Sequence, residues 1–148
     1  MNSNPKKFSA CLWLKIQQLP NKRPDFLVML NNTKQSATTA NDDMMMFELT
    51  ADFGDNVLTV DLCNKDSMDT WVNDQGQITH DLAVQMQKLT VDNLDITDQI
   101  KQHMTYLTCD SELANTYGYM HKNGRLTMQF QCPVFYYLRN SALVEQTS

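Results

Sequence analysis

The alternation of Leu126, Met128, Phe130 and Cys132 with Arg125, Thr127, Gln129 and Gln131 constrains the fold more than any other feature of the chain. A strict period of two puts one set on a buried face and the other in water, which is the pattern of a half-buried strand. In front of it, Asn123-Gly124 is the dipeptide that supplies two positive-φ residues to a tight turn. Residues 117–121 are therefore expected to pair back onto residues 125–131 as a hairpin. Pro133 cannot donate to a ladder, so pairing should break there, before the apolar run 134–138.

The rest of the chain reads as sheet. Phe8, Ala10, Leu12, Leu14 and Ile16 alternate on one face of a first strand that ends near Leu19. The sequence Pro20-Asn21-Lys22-Arg23-Pro24 is turn chemistry, and residues 26–30 form a short apolar second strand. Residues 31–43 lack large apolar side chains and read as an exposed loop. Residues 44–50 and 56–63 read as a second hairpin, with Phe47, Leu49 and Ala51 on one strand and Leu58, Val60 and Leu62 on the other.

Residues 64–76 form a polar excursion that ends in the turn Asn73-Asp74-Gln75-Gly76, and Ile78 opens a short return. Residues 83–91 read as a strand, because Leu89-Thr90-Val91 runs into the two-residue turn signal Asp92-Asn93. Residues 100–107 fit a helix or a strand, and residues 109–116 read as polar loop. These elements give an all-β chain of eight to ten short strands without a long helix, organised as an antiparallel two-sheet β-sandwich of jelly-roll type. Its expected limits are an N-terminal arm at 1–7, mobile by composition, one domain at 8–139 and a polar tail at 140–148.

Net charge is −5, unevenly distributed. Residues 1–40 carry six bases (Lys6, Lys7, Lys15, Lys22, Arg23, Lys34) against Asp25, while residues 41–75 carry nine acids against Lys65. That polarity favours head-to-tail contact between copies and argues against nucleic acid as a partner. The four cysteines have no C-x-x-C spacing and the three histidines no metal-ligand spacing, so neither a metal nor a cofactor is expected. Cys11, Cys63 and Cys132 fall in expected strands, as small apolar side chains. The ten methionines read as core filler. No signal-peptide pattern and no membrane-length apolar run is present, which points to a product of the cytoplasm.

Residues 69–138 resemble small β-sandwich modules of carbohydrate-binding type that also occur in structural proteins of tailed phages and other virus particles. The features that carry the likeness are Asp69-Thr70, Gly76, Asp81, Leu89-Thr90-Val91-Asp92, Tyr106, Gly118, the run Asn123-Gly124-Arg125-Leu126-Thr127-Met128-Gln129-Phe130, Pro133-Val134-Phe135 and Tyr137-Leu138. Where such modules often end on tryptophan, this chain has Tyr136-Tyr137. The resemblance implies a non-catalytic module that binds glycans or that decorates a virion, with capsid or tail proteins, or further copies of itself, as partners. Docking would use strand edges and the terminal arms.

Four residues stand out as contact candidates. Trp71, in a polar loop, offers a rigid face for a sugar ring or a protein; the alternative is that it caps the core beneath its own loop. Tyr117, Tyr119 and His121 alternate and should share a face as a stacking platform, although cross-strand aromatics also stabilise ordinary sheets. Asp66, Asp69 and Asp74, with Asp52 and Asp55, could offer oxygens to Ca²⁺, without an EF-hand spacing. Asp81 with Glu112 is the one carboxylate pair to consider for glycoside cleavage. No nucleophile elbow or phosphate-cradling glycine loop is present, and no enzyme is expected.

Overall fold

The computed structural model describes residues 7–41, 43–66, 68–111, 113–135 and 138. Residues 1–6 of the expected arm, the whole of the expected tail at 140–148, Glu112 and the Tyr136-Tyr137 pair lie outside the described residues. The elements these residues form are, in order, β1 (Lys7–Gln17), β2 (Phe26–Leu30), β3 (Thr33–Gln35), β4 (Thr39–Ala40), β5 (Met44–Asp52), β6 (Gly54–Leu62), β7 (Thr70–Val72), β8 (Ile78–Asp81), β9 (Ala83–Val91), β10 (Leu94–Asp95), α1 (Thr97–His103), β11 (Thr105–Thr108), β12 (Leu113–Ala114), β13 (Tyr119–Met120) and β14 (Gly124–Cys132). One sheet runs β10-β9-β1-β5-β4, with β13 also against β9, and the other runs β12-β11-β14-β6-β2-β3. Every pairing is antiparallel. The chain is an all-β two-sheet sandwich.

The alternating residues of β1 and β14 point inward as their period requires. Phe8, Ala10, Leu12, Leu14 and Ile16 pack across the core from Leu126, Met128, Phe130 and Cys132, all buried. Each fully buried leucine contributes about 2 kcal/mol from area alone. Met86, Met104, Met120 and Met128 fill the core, whereas Met68 is exposed. Cys11 is half-buried, and Cys63 lies one residue past β6 and is exposed, so of the three thiols expected inside only Cys132 is fully buried.

Neither expected hairpin around Asn123-Gly124 and residues 52–56 exists. β14 lies between β6 and β11, and residues 119–120 pair with β9 in the opposite sheet. Gly124 is not a turn residue: a Cβ there would sit 2.3 Å from the Leu107 carbonyl oxygen, so glycine is what lets β11 approach. β5 and β6 form as strands but belong to different sheets. The chain arches between the layers through Gly54 (φ 93°) and is pinned by Asn56, which is 1 % exposed. A hairpin and an arch both turn Phe47, Leu49, Leu58 and Val60 toward the core, so the alternation does not separate them.

Two expected loops contain strands. Asn31 and Asn32, at φ 50° and 66°, make a two-residue turn that folds β3 onto β2, and β4 pairs with β5. β12 occupies part of residues 109–116 and pairs with β11. The Asp92-Asn93 turn is as expected, at φ 49° and 65°. Residues 100–107 divide into the end of α1 and most of β11. Pairing stops at Pro133 as expected, since β14 ends at Cys132. β3, β4, β10, β12 and β13 are two or three residues long, and such short outer strands are poor templates for edge-to-edge pairing.

Candidate functional site

β1 runs between two dissimilar poles. Lys7 and Asp52 mark one end, where Lys7 Nζ is 2.5 Å from Asp52 Oδ1. Gln17 marks the other, beside Ala83 and within 3.2 Å of the Tyr119 hydroxyl. At this second pole the β7–β8 ribbon stands outside both sheets, and residues 115–123 cross from the β12 edge to β9 and back to β14. Between them lies an open groove of about 770 Å³, within the size range of small-ligand clefts. Its lining includes Lys65, Asp81, Asp110, Tyr119, His121 and Asn123.

Asp81 is the hub. Its Oδ1 accepts from Lys65 Nζ at 2.7 Å, the Thr70 hydroxyl at 2.9 Å and the Leu82 amide at 2.8 Å, and its Oδ2 accepts from the Tyr119 hydroxyl at 3.3 Å. Burial works to raise the Asp81 pKa, but the Lys65 ammonium, the Thr70 hydroxyl and the Leu82 amide outweigh it and hold it below the ordinary 3.8. Burial pushes the Tyr119 phenol up, helped by the Asp81 charge. Lys65 also donates to the His121 carbonyl at 2.6 Å.

Asn123 closes the same corner, accepting from the Lys65 amide at 2.8 Å and donating to the Lys65 carbonyl at 2.7 Å. The Tyr106 hydroxyl bonds the Lys122 backbone on both sides, donating to its carbonyl and accepting from its amide at 2.9 Å. Burial raises the Tyr106 phenol to about 12.

Of the four aromatic candidates, the fold brings two together. Tyr119 and His121 stack with centroids 6.0 Å apart and planes 13° from parallel, and Tyr106 meets His121 edge-on at 6.0 Å. Tyr117 leaves the expected shared face: its backbone is left-handed (φ 54°), it sits in the turn closed by the Tyr119 amide on the Thr116 carbonyl, and its ring is exposed. Trp71 pairs in register with His80, and the two rings lie 5.0 Å apart, tilted by 56°. Thr70 and Asp81, the adjacent pair, face the groove, so Trp71 points to the other side of the ribbon.

The chain matches no family model and no curated protein. What the pole can do follows from its own chemistry.

The acidic loop is largely neutralised within the fold. Lys22 Nζ is 2.5 Å from Asp69 Oδ2 and 3.4 Å from Asp66 Oδ2. Burial opposes the charge on Asp69, yet Lys22 and the Asp66 amide keep its pKa below 3.8. Asp52 and Asp55 lie at the far pole, where Asp55 accepts from Gln131. Among the described residues no three His, Cys, Asp or Glu side chains converge to hold a metal ion. The basic and acidic segments of the sequence are thus cross-linked by Lys7–Asp52 and Lys22–Asp69, while Lys65, the base within the acidic segment, pairs onward with Asp81. None of Lys65, Asn123 and Tyr106 was a site candidate in the sequence: Asn123 reads there as a turn residue and Tyr106 as a feature of the resemblance, and no local pattern joins residues so far apart along the chain.

Proposed function

We propose that the protein is a non-catalytic interaction module that decorates or stabilises a larger protein assembly, a virus particle being the kind of assembly its sequence resemblance suggests. The observation that carries this reading is the β7–β8 ribbon. It belongs to neither sheet and leaves the register pair Val72 and Ile78 59 % and 64 % exposed, with Trp71 partly exposed on the ribbon's other side. Apolar side chains grouped on a projecting element are what a protein contact buries. The non-catalytic part is supported by Asp81, whose two oxygens are both engaged by neighbours. A carboxylate so committed binds and positions; it does not shuttle protons.

The test is sedimentation of the purified protein with particles from its source. Saturable pelleting at a fixed number of copies per particle is expected, and the double variant Val72→Ser, Ile78→Ser should bind at least about tenfold more weakly. A wild-type protein that stays in the supernatant at micromolar concentration sinks the reading.

A second reading, a glycan-binding module, is favoured by the Tyr119–His121 stack beside the hydrogen-bonding groups of Thr70, Thr116 and Asn123. Oligosaccharides should then move the ring signals of both aromatics in NMR titrations. Silence at both rings across neutral, acidic and sulfated sugars removes it.

A further inference from the structure

We propose that the outer face of the β12-β11-β14-β6-β2-β3 sheet is a two-fold interface between copies of this chain. That face lies on the sandwich itself, apart from the ribbon, so the inference goes beyond the docking reading and stands or falls separately.

The six strands divide three and three about the line between β14 and β6. One row of outward residues crosses that line in register: Leu113, Leu107, Arg125, Asp61 and Leu27. Arg125 holds Asp61 with two bonds, Nε to Oδ1 at 2.7 Å and Nη2 to Oδ2 at 2.9 Å. Near the other end of the same line Gln131 donates to Asp55 at 2.9 Å. The donors therefore stand on β14 and the carboxylates on β6. Arg125 and Lys34 balance Asp61 and Asp55 among the outward side chains of these strands, so two such faces do not repel one another.

A two-fold axis that runs along the strands between β14 and β6 makes this polarity self-complementary. It lays Arg125 over the partner's Asp61, Gln131 over the partner's Asp55 and Thr127 over the partner's Thr59. The same rotation lays Leu107 over the partner's Leu27 and Thr105 over the partner's Met29. An isologous contact needs this property, that residue i meets j while j meets i. Leu107 and Leu113 are 49 % and 68 % exposed, and Leu27 and Met29 are half-buried, so apolar side chains flank the charged centre on both sides. Their burial drives association, and the four charges at the axis set the register. The twist of each sheet lets two such faces pack with their strands about 30° apart. Nine residues of β14 at about 3.4 Å each, by six strands about 4.8 Å apart, give roughly 700 Å² at most per copy, near the lower end for stable pairs.

Sedimentation velocity of the full chain, from micromolar to submillimolar concentration, tests the inference. Wild type should pass from monomer to dimer and no further. Leu107 is exposed, so Leu107→Lys leaves the fold intact and should weaken the dimer at least about tenfold. Arg125→Asp and Asp61→Arg each bring like charges together across the axis, and each alone should be monomeric. Mixed one to one they should form a heterodimer, because both acids of the first variant then meet both bases of the second. Neither chain regains its internal ion pair in that mixture, so a repaired fold cannot account for the recovery.

A wild type that stays monomeric throughout, a Leu107→Lys dimer as tight as wild type, or mixed charge variants that are folded by circular dichroism yet remain monomers would each overturn the inference. Dimers that do not pellet with particles sink the docking reading alone. A strictly monomeric protein that pellets sinks this inference alone.

Discussion

The two poles of the sandwich are each tied by an asparagine, and they are tied for different ends. At the arch, Asn56 accepts from the Asp52 amide at 2.8 Å and from Asn31 at 2.9 Å, and donates to the Asp52 and Gly54 carbonyls at 2.9 and 3.2 Å. The knot is neutral at its centre, where Asn56 is buried. At the groove, Asn123 makes two bonds to one backbone residue, and the remaining work falls to an ion pair and three rings at the border of an open space. A closed amide knot fixes how the chain changes layers. An ion pair beside aromatics holds a surface in shape for something else to meet.

The comparison breaks most directly at the asparagines. Asn56→Ala leaves several backbone groups unsatisfied in a buried site and should cost about 3 kcal/mol in urea unfolding. Asn123→Ala, half-exposed, should cost about half that. Equal losses would mean the groove pole is as structural as the arch. The glycines give the next contrast. Gly124→Ala drives a Cβ into the β11 backbone and should destabilise by about 2 kcal/mol or more. At Gly54 nothing lies within 4 Å, so alanine there should cost about 1 kcal/mol of backbone strain alone.

Acid and alkali sharpen the distinction. Asp81 has its pKa held below 3.8 in the fold and near it in the unfolded chain. Its stabilisation is therefore complete above that value and is lost as pH falls through the lower folded one. Asp81→Asn should lower stability by about 2 kcal/mol at neutral pH and flatten the decline below pH 4. Tyr106 runs the other way: its phenol ionises near 10 when unfolded and about 12 when folded, so stability should fall as pH rises between these values. Tyr106→Phe should remove its share of that alkaline limb and leave the part due to Tyr119. The smallest effect is expected on the ribbon, where Val72→Ser with Ile78→Ser should leave thermal stability within about 0.5 kcal/mol of wild type.

What was legible in the sequence follows the same division. The inward faces of β1, β5, β6 and β14 were written in period two, and the Asp92-Asn93 turn in its residue types, while β9 was legible only through that turn. Pairing was not written there. Asn123-Gly124 has the chemistry of a tight turn, yet in the fold the asparagine reaches back to Lys65 and the glycine makes room for β11. Both roles depend on strands distant in sequence. Helix α1 is short and starts directly after β10, and Ile100 fits either period, so tertiary contact decided what local pattern left open. At the candidate site, Tyr119 and His121 were visible as an aromatic pair. The turn that diverts Tyr117 depends on left-handed backbone at a tyrosine, which residue type does not announce.

β14, the last strand described, sits between β11 and β6. During synthesis the edge of β6 away from β2 must therefore wait until residues 124–132 have been made before its neighbour arrives. Until then Leu58 and Val60 lie beside an empty lane, and a nascent chain in that condition is exposed to chaperones and to its own copies. A ribosome stalled before Gly124 should hold a chain that proteases cut freely, and one stalled well past Cys132 should hold a resistant one.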